Sequence, residues 1–201
     1  ENQSINAKKL YVDQKGVLWV GTQLGLFLLD IKTDEMVTLL ANPADRYSLP
    51  HNSIWSIYPD PDGGVWIGTY GGKLAYMSFD DNRVVFKSFS KGGLNSPIVS
   101  CFEEDKSGNI WIGTEGGGIN CWNRRRNEYS YYTQSLSNGI NYNLIKSLLF
   151  DSKKRKILIS SFNGGISEYN TETRKFEDLK LYHPSRPGRY LSVYNFAMEA
   201  D

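Results

Sequence analysis

The chain of 201 residues carries a formal net charge of +1, from 23 basic and 22 acidic side chains, and 13% of its residues are aromatic. Because neither sign of charge predominates, we expect no nucleic-acid partner and no membrane contact by this chain. No apolar stretch approaches the roughly 18 residues that a membrane-spanning helix needs. The aromatic content is typical of β-strands, and it also suits surfaces that stack against sugar rings.

The predicted elements form four repeats along the chain. Each repeat has a leading aspartate, which is preceded by one short apolar strand and followed by two more strands and an aromatic or β-branched run. The leading aspartates are spaced 47, 45 and 46 residues apart, and they are Asp13, Asp60, Asp105 and Asp151. This period predicts an all-β propeller of four-stranded antiparallel blades, because one blade cannot cover both of its faces and must stack on its neighbours.

The repeats place the blades at 5–50, 51–94, 95–141 and 142–190, with 191–201 as the first strand of a further blade. The sequence therefore starts and stops at equivalent points of the repeat. We expect about four blades that form an open fragment of a larger propeller. Its edges would pair with the remaining blades or with a second copy in a homodimer.

An Asp-x-x-Gly turn joins the first strand of a blade to the second, and it predicts a positive φ at Gly16 and Gly108. We interpret its aspartate as a structural residue that accepts hydrogen bonds from the turn, rather than as a metal ligand. Six residues after the aspartate, three of the repeats have a tryptophan, at Trp19, Trp66 and Trp111. Each ring is predicted to fill the wedge between neighbouring blades.

The fourth repeat departs from this pattern. Leu158 stands in place of the tryptophan, Ser160 and Ser161 replace the Gly-Thr pair that follows it in the other repeats, and the turn has one extra residue. We expect the fourth blade to be the least tightly packed.

Three segments resemble a known family: SLPHNSIWSIYPDPDGGVWIGTYGG, GLNSPIVSCFEEDKSGNIWIGTEGGGINCWN and SLSNGINYNLIKSLLFD. Their D-x-x-G-x-x-W-I-G-T core is similar to the two-component regulator propeller repeat, and the resemblance covers the whole chain. It implies the periplasmic sensor region of a hybrid two-component system (sensor histidine kinase/response regulator) of Bacteroidetes. In such regions seven-bladed propellers precede a β-sandwich, a membrane helix and the kinase.

The resemblance also implies a function. Members of the family are similar to glycan sensors, so we expect the chain to respond to oligo- or polysaccharides and to control glycan-utilisation genes through a histidine kinase outside it. The chain itself is then not an enzyme, and its partners include the downstream domains of the same protein. No binding residue carries over from the family, because no sequence motif marks the ligand contacts.

Candidate ligand residues follow from the topology instead. At one end of the blades, here called the upper face, the turns between second and third strands meet the connections between blades, and such loops usually carry function. Their side chains suit a saccharide, whose ring stacks on aromatic faces and whose hydroxyls bind polar groups. The candidates are Gln23, Tyr70, Glu115 and Asn163 from the turns, and Tyr47, His51, Arg189 and Tyr190 from the connections.

No catalytic residue, metal site or cofactor is predicted. The two histidines, His51 and His183, lie beside prolines in predicted loops, and adjacent carboxylates on a strand point to opposite faces. Cys101 and Cys121 fall on the first and third strands of the third blade, which are not neighbours, so we predict that they form no disulfide.

Two alternatives remain open: a protein-interaction scaffold whose partners dock on the upper face, and a propeller lyase or glycosidase with its site at the central channel. The enzyme needs charged groups that converge from several blades. The inner-turn positions of the four blades are Gln23, Tyr70, Glu115 and Phe162. Only one of the four is a carboxylate, which counts against an enzyme.

Overall fold

The computed structural model describes residues 5–61, 63–71, 74–80, 83–88, 93–182, 184–186 and 188–196, and for 79–80 and 83–88 it describes the backbone alone. The regular structure in these ranges consists of sixteen β-strands. They are β1 (Ala7–Val12), β2 (Val17–Thr22), β3 (Leu26–Asp30), β4 (Met36–Leu39), β5 (Ile54–Pro59), β6 (Val65–Thr69), β7 (Leu74–Asp80), β8 (Arg83–Ser88), β9 (Val99–Glu104), β10 (Asn109–Thr114), β11 (Ile119–Asn123), β12 (Glu128–Tyr132), β13 (Ile145–Asp151), β14 (Lys156–Ser161), β15 (Gly165–Asn170) and β16 (Lys175–Leu179).

The strands form four antiparallel sheets of four strands each, and each sheet is one blade. Strands β1–β4 form blade 1, β5–β8 blade 2, β9–β12 blade 3 and β13–β16 blade 4, with consecutive strands as hydrogen-bonded neighbours. Such neighbours need only short turns to connect them, because they run antiparallel. The all-β propeller fold predicted from the repeat is confirmed, and each sheet lies inside one of the four predicted ranges.

The chain divides into two compact units, the first with blades 1 and 2 and Pro97–Val99, the second with the rest of blade 3 and blade 4. Buried apolar side chains fill the space between the two blades of each unit. In the first unit they include Trp19, Ile57, Ile67 and Met77. In the second unit they include Trp111, Ile145, Ile157 and Tyr169. Burial of one tryptophan ring in such a core is worth on the order of 4 kcal/mol, at about 25 cal/mol per Å².

The leading aspartate also holds the tryptophan. In blade 1, one carboxylate oxygen of Asp13 accepts the backbone N–H groups of Lys15 and Val17, both at 2.9 Å, and the other accepts the indole N–H of Trp19 at 3.0 Å. The indole–carboxylate bond measures 2.9 Å in both blade 2 and blade 3. Burial would raise the pKa of Asp13, but these hydrogen bonds outweigh it and hold the pKa below its ordinary value of 3.8. One residue therefore fixes both the turn and the ring.

The turn glycines adopt the predicted conformation. Gly16 has a φ of 86° and Gly108 a φ of 76°, in the left-handed region that glycine enters without steric cost. This prediction is confirmed.

Blade 4 lacks the indole–carboxylate bond because Leu158 replaces the tryptophan. Its core is nevertheless closed, with Ile157 and Ile159 fully buried. The departure from the repeat shows at single positions instead. Within the ranges given above, the buried hydroxyl of Ser161 has no hydrogen-bond partner. The turn residue Arg155 has a φ of 53°, a conformation that costs a non-glycine residue about 1–2 kcal/mol.

The segment after blade 4 was predicted to be a first strand over 191–201. Residues 191–196 form no strand, because no described strand forms a ladder with them, and 197–201 lie outside the described residues. Hydrogen bonds still place the segment beside blade 4: the N–H of Phe196 donates to the hydroxyl of Ser147 and the N–H of Asn163 donates to the hydroxyl of Ser192, both at 3.3 Å. In the first unit the equivalent Ser56 instead donates to the carbonyl of Val99, in the following first strand, at 3.3 Å.

Candidate functional site

A β-bulge interrupts the first strand of blades 1, 2 and 4 at the same position, five residues before the leading aspartate. In blade 1 the ladder pairs Ala7 with Thr22 and Lys9 with Gly21, which leaves Lys8 as the extra residue. The same shift leaves Trp55 unpaired in the ladder of blade 2 and Lys146 in that of blade 4. Bulges re-aim a side chain and are common beside functional sites. The three bulge residues are therefore candidates for function, and the sequence interpretation missed all of them.

Turns and inter-blade connections meet at the upper face, as the topology predicts. In the second unit, the backbone N–H groups of Gly116 and Gly118 both donate to the carbonyl of Asn143 at 3.0 Å. The hydroxyl of Ser96 donates to the carbonyl of Glu115 at 2.9 Å. The turns are thus held by the connections, and side chains from both share one end of the blades.

An aromatic group lies at this end of the first unit. The ring centroid of Tyr70 is 5.5 Å from that of Trp55 and 6.5 Å from that of His51. The ammonium of Lys8, from blade 1, lies 5.9 Å from the centroid of the Trp55 ring. Tyr70 is 48% exposed, so the group is open to solvent. We call Lys8, His51, Trp55 and Tyr70 the Trp55 cluster; it contains two of the eight predicted ligand residues.

Ser53 fixes the two nitrogen-containing rings of the cluster. Its hydroxyl accepts the indole N–H of Trp55 at 3.2 Å, and its backbone N–H donates to Nδ1 of His51 at 3.0 Å. Because Nδ1 is an acceptor, the neutral imidazole carries its hydrogen on Nε2, where it can donate to a ligand. The cluster is therefore pre-organised, with aromatic rings beside two donors, the Lys8 ammonium and the His51 Nε2–H.

The corresponding positions of the second unit bind each other. Lys146, the bulge residue of blade 4, forms an ion pair with Glu115, and the two side chains are only 20% and 15% exposed. The Lys146 ammonium also lies 5.5 Å from the ring centroid of Phe162, which contacts the ring of Tyr194 edge-on at 6.3 Å. The charges cancel inside the protein, so this arrangement is a structural contact rather than an open site.

The other turn candidates do not join the Trp55 cluster. Gln23 is exposed in the turn after β2. Asn163 has a φ of 61°, and its backbone N–H donates to the hydroxyl of Ser192 at 3.3 Å. The position equivalent to Tyr70 and Glu115 is occupied by Phe162, one residue before Asn163.

The remaining connection candidates are also separate. Tyr47 is 45% exposed, and the guanidinium of Arg46 lies 4.5 Å from its ring centroid. Tyr190 stacks on Tyr182 with centroids 5.1 Å apart, and the backbone N–H of Arg189 donates to the carbonyl of Arg186 at 3.1 Å. Within the first unit, the structure thus brings together two of the predicted residues, His51 and Tyr70.

Two cavities open near the Asp turns, at the opposite end of the blades. One of about 770 Å³ lies between blades 1 and 2 and is lined by Tyr11, Lys15, Leu28 and Pro61 among others. Another of about 540 Å³ lies between blades 3 and 4 and is lined by Asn109, Arg126, Tyr132 and Arg174 among others. Neither is lined by any of the eight predicted ligand residues, whereas Asp13, Trp19, Asp60, Asp105 and Trp111 of the repeat pattern do line them.

The second cavity also contains a thiol and a phenol whose pKa values are raised by burial. Burial, with a smaller contribution from the charge of Asp105, raises the pKa of the Cys121 thiol to about 12. Burial and the hydrogen bond with Tyr169 raise the pKa of Tyr132 above its ordinary value. Cys101 and Cys121 are both thiols and form no disulfide.

In the described ranges, no three side chains of His, Cys, Asp or Glu gather where they could hold a metal ion. No helix in the same ranges has the length and apolar character needed to cross a bilayer.

Comparison with known proteins gives a family match to two segments, and a fold. The family model "Two component regulator propeller" matches residues 48–71 and 92–116, and the first of these segments contains His51, Trp55 and Tyr70. Histidine kinase P4 of Formosa agariphila is 30% identical over 170 residues, which are 81% of this chain and 12% of that protein.

Two solved structures are similar, both extracellular domains of hybrid two component systems of B. thetaiotaomicron. That of BT3049 has a TM-score of 0.74 and 24% identity over 88% of this chain and 24% of its own. That of BT4673 has a TM-score of 0.71 and 23% identity over 94% of this chain and 24% of its own. At these identities the likeness shows the fold, and the chain spans about a quarter of each domain.

Proposed function

We propose that the chain belongs to the extracytoplasmic sensor region of a hybrid two-component system, because two of its segments match the two component regulator propeller model. We further propose that it takes part in recognising an oligo- or polysaccharide and so controls glycan-utilisation genes through a histidine kinase outside this chain. The chain itself is then a non-catalytic recognition module. The similarity to a histidine kinase of Formosa agariphila supports the signalling part of this proposal.

The Trp55 cluster is the observation that supports a saccharide ligand. Sugar rings present C–H faces that pack on aromatic rings, and hydroxyls that pair with polar groups at the edge of those rings. Trp55 and Tyr70 supply two neighbouring rings, and Lys8 and His51 supply the donors. Loops and bulges on a rigid sheet scaffold are suited to such a site because the scaffold pays little ordering entropy on binding.

The position of the cluster suggests how binding is transmitted. Lys8 comes from blade 1, and the other three residues come from blade 2 and the connection before it. A ligand that contacts both blades stabilises the arrangement in which they are correctly seated. In a sensor, this differential affinity would shift the balance between two arrangements of the domains.

A further part of the proposal concerns partners. Leu10, three residues before Asp13, is 57% exposed, whereas its equivalents Ile57 and Leu148 are 4% and 5% exposed because another blade covers them. We propose that a further blade of the same kind covers Leu10 in the whole protein.

Calorimetry on the intact sensor region with a panel of polysaccharides tests the saccharide proposal. We expect saturable binding by at least one glycan, and a loss of about tenfold in affinity when Tyr70→Ala removes one ring, equivalent to roughly 1.4 kcal/mol. Tyr47→Ala is the matched control, because Tyr47 is similarly exposed but lies outside the cluster. If no polysaccharide of the panel binds, or if Tyr70→Ala and Tyr47→Ala change the affinity equally, the proposal is contradicted.

A further inference from the structure

We infer that the saccharide bound at the Trp55 cluster is acidic, with a carboxylate or sulfate on the sugar that faces Lys8. This inference deepens the proposed function and rests on it. Among the described residues, the cluster contains one formal charge, the ammonium of Lys8. This ammonium lies over the ring of Trp55, 5.9 Å from its centroid. A ligand with a negative substituent complements that charge.

The second unit shows what a neutralised version of this site looks like. There the bulge lysine, Lys146, is paired with Glu115 from the turn of the preceding blade. In the first unit the turn position equivalent to Glu115 is Gln23 in blade 1 and Tyr70 in blade 2, and neither carries a charge. Blade 1 therefore has a lysine at the bulge position that Lys146 occupies in blade 4, and neither turn of the first unit supplies a carboxylate.

The donors of the cluster point to the same ligand class. The Lys8 ammonium has only donors, and His51 offers the Nε2–H, which its hydrogen bond from Ser53 does not use. No carboxylate belongs to the cluster. Neutral sugar hydroxyls can both donate and accept, whereas a carboxylate or sulfate only accepts, and it accepts most strongly from a charged donor.

The position and length of the Lys8 side chain allow it to contact a negative group on the bound sugar. Its bulge position aims the side chain over Trp55, with the ammonium 5.9 Å from the ring centroid. The flexible four-carbon stem lets the ammonium turn from the ring face to an arriving anion while it stays at the rim of the cluster. A sugar ring packed on Trp55 and Tyr70 would then place an exocyclic carboxylate or sulfate beside Lys8.

The test compares matched acidic and neutral probes on the intact sensor region by calorimetry. The pairs are tetragalacturonate with its methyl ester, and dextran sulfate with dextran. We expect an acidic member to bind at least tenfold more tightly than its neutral partner, with an advantage that shrinks in high salt because exposed charges are screened. Lys8→Met should remove this advantage, so that the acidic and the neutral member of a pair bind the variant with equal affinity.

Lys9→Met is the control variant, because Lys9 is an exposed lysine on the same strand but pairs with Gly21 in the ladder. It should leave all affinities unchanged. If neutral glycans bind as tightly as acidic ones, or if Lys8→Met and Lys9→Met act alike, the inference is wrong while the proposed function stands. If no glycan of either kind binds, the proposed function fails as well.

Discussion

The leading aspartate of the repeat carries more hydrogen bonds than a turn alone requires. In blade 3, Oδ2 of Asp105 accepts both the side-chain amide of Asn109 and the indole N–H of Trp111, each at 2.9 Å. The other oxygen, Oδ1, accepts two backbone N–H groups, from Ser107 and Asn109. Every acceptor position is in use, so an uncharged amide at this site would place a donor against a donor.

Asp105→Asn should therefore lower the free energy of unfolding by about 2 kcal/mol, since it leaves a buried donor without its acceptor. Asp151→Asn in blade 4 is the matched comparison, because Asp151 accepts turn N–H groups from Lys153 and Lys154 but holds no tryptophan. Its effect should be clearly smaller. Urea unfolding of the two variants measures the difference, and equal losses would show that the indole bond contributes nothing.

For single residues, the sequence showed which ones have a structural role better than it showed which contacts they make. The tryptophans and aspartates stand out because they recur at a fixed spacing, and the turn glycines because only a positive φ explains them. The indole–carboxylate bond was missed because both partners already had a role. Lys8 and Trp55 were missed because a bulge changes the pairing of the backbone and leaves no mark on the residue it re-aims.

Among the elements, the turn after the second strand distinguishes blade 4 from the others. In blades 1 and 3 a threonine closes this turn, with the hydroxyl of Thr22 donating to the carbonyl of Gly25 at 2.9 Å and that of Thr114 to Gly118 at 2.8 Å. Blade 4 has Ser161 at the same place, and in the part of the chain that the structure describes its buried hydroxyl makes no such bond. The turn still forms, but burial removes the Ser161 hydroxyl from water, and among the described residues it gains no hydrogen bond in exchange.

Two substitutions at this turn position should then differ in sign. Thr114→Val should lower the free energy of unfolding by about 1 kcal/mol, because it removes a hydrogen bond and keeps the shape. Ser161→Ala should be neutral or stabilising, because it removes an unsatisfied buried hydroxyl. Thermal or urea unfolding compares them, and a loss in Ser161→Ala as large as that in Thr114→Val would mean that Ser161 does make a bond in solution.

The strands themselves were predictable because each blade repeats the same alternation and the same turn. The register of the strand pairs could not be predicted from the sequence. Opposite the bulges of blades 1 and 2, the ladder reaches Gly21 and Gly68, the glycines of the Gly-Thr pair. A side chain at Gly68 would meet the hydroxyl of Ser56 at 2.1 Å, so this pair marks a close approach of the two strands. The Gly-Thr pair, on the strand opposite the bulge, is the sequence signal that marks its position.

In the whole molecule, the face of blade 1 that contains Leu10 is apolar and open. On this face the ladder places Leu10 opposite Val20 and Val12 opposite Leu18, and the next strand continues it with Leu29. The equivalent face of blade 2 lies in the core of the first unit. The repeat predicted that the chain has open edges, but only the structure shows which side chains form the open face.

A copy of residues 95–141 fused ahead of blade 1 should cover this face and raise the free energy of unfolding. In the fusion, Leu10→Asp should cost at least 2 kcal/mol, because it buries an unpaired charge, whereas in the unfused chain it should have little effect. Ile57→Asp is the control and should destabilise both proteins, since Ile57 is buried already. An equal response of the two proteins to Leu10→Asp would mean that the added blade does not dock there.

The bulge position accepts different residue types more readily than the core positions of the blades do. Trp19 and Ile67 are fixed by their neighbours, so any exchange there costs stability. The bulge residue stands outside the ladder, and the chain already has lysine, tryptophan and lysine at that place in blades 1, 2 and 4. Exchange at this single position per blade would therefore change the upper face while the sheets stay unchanged.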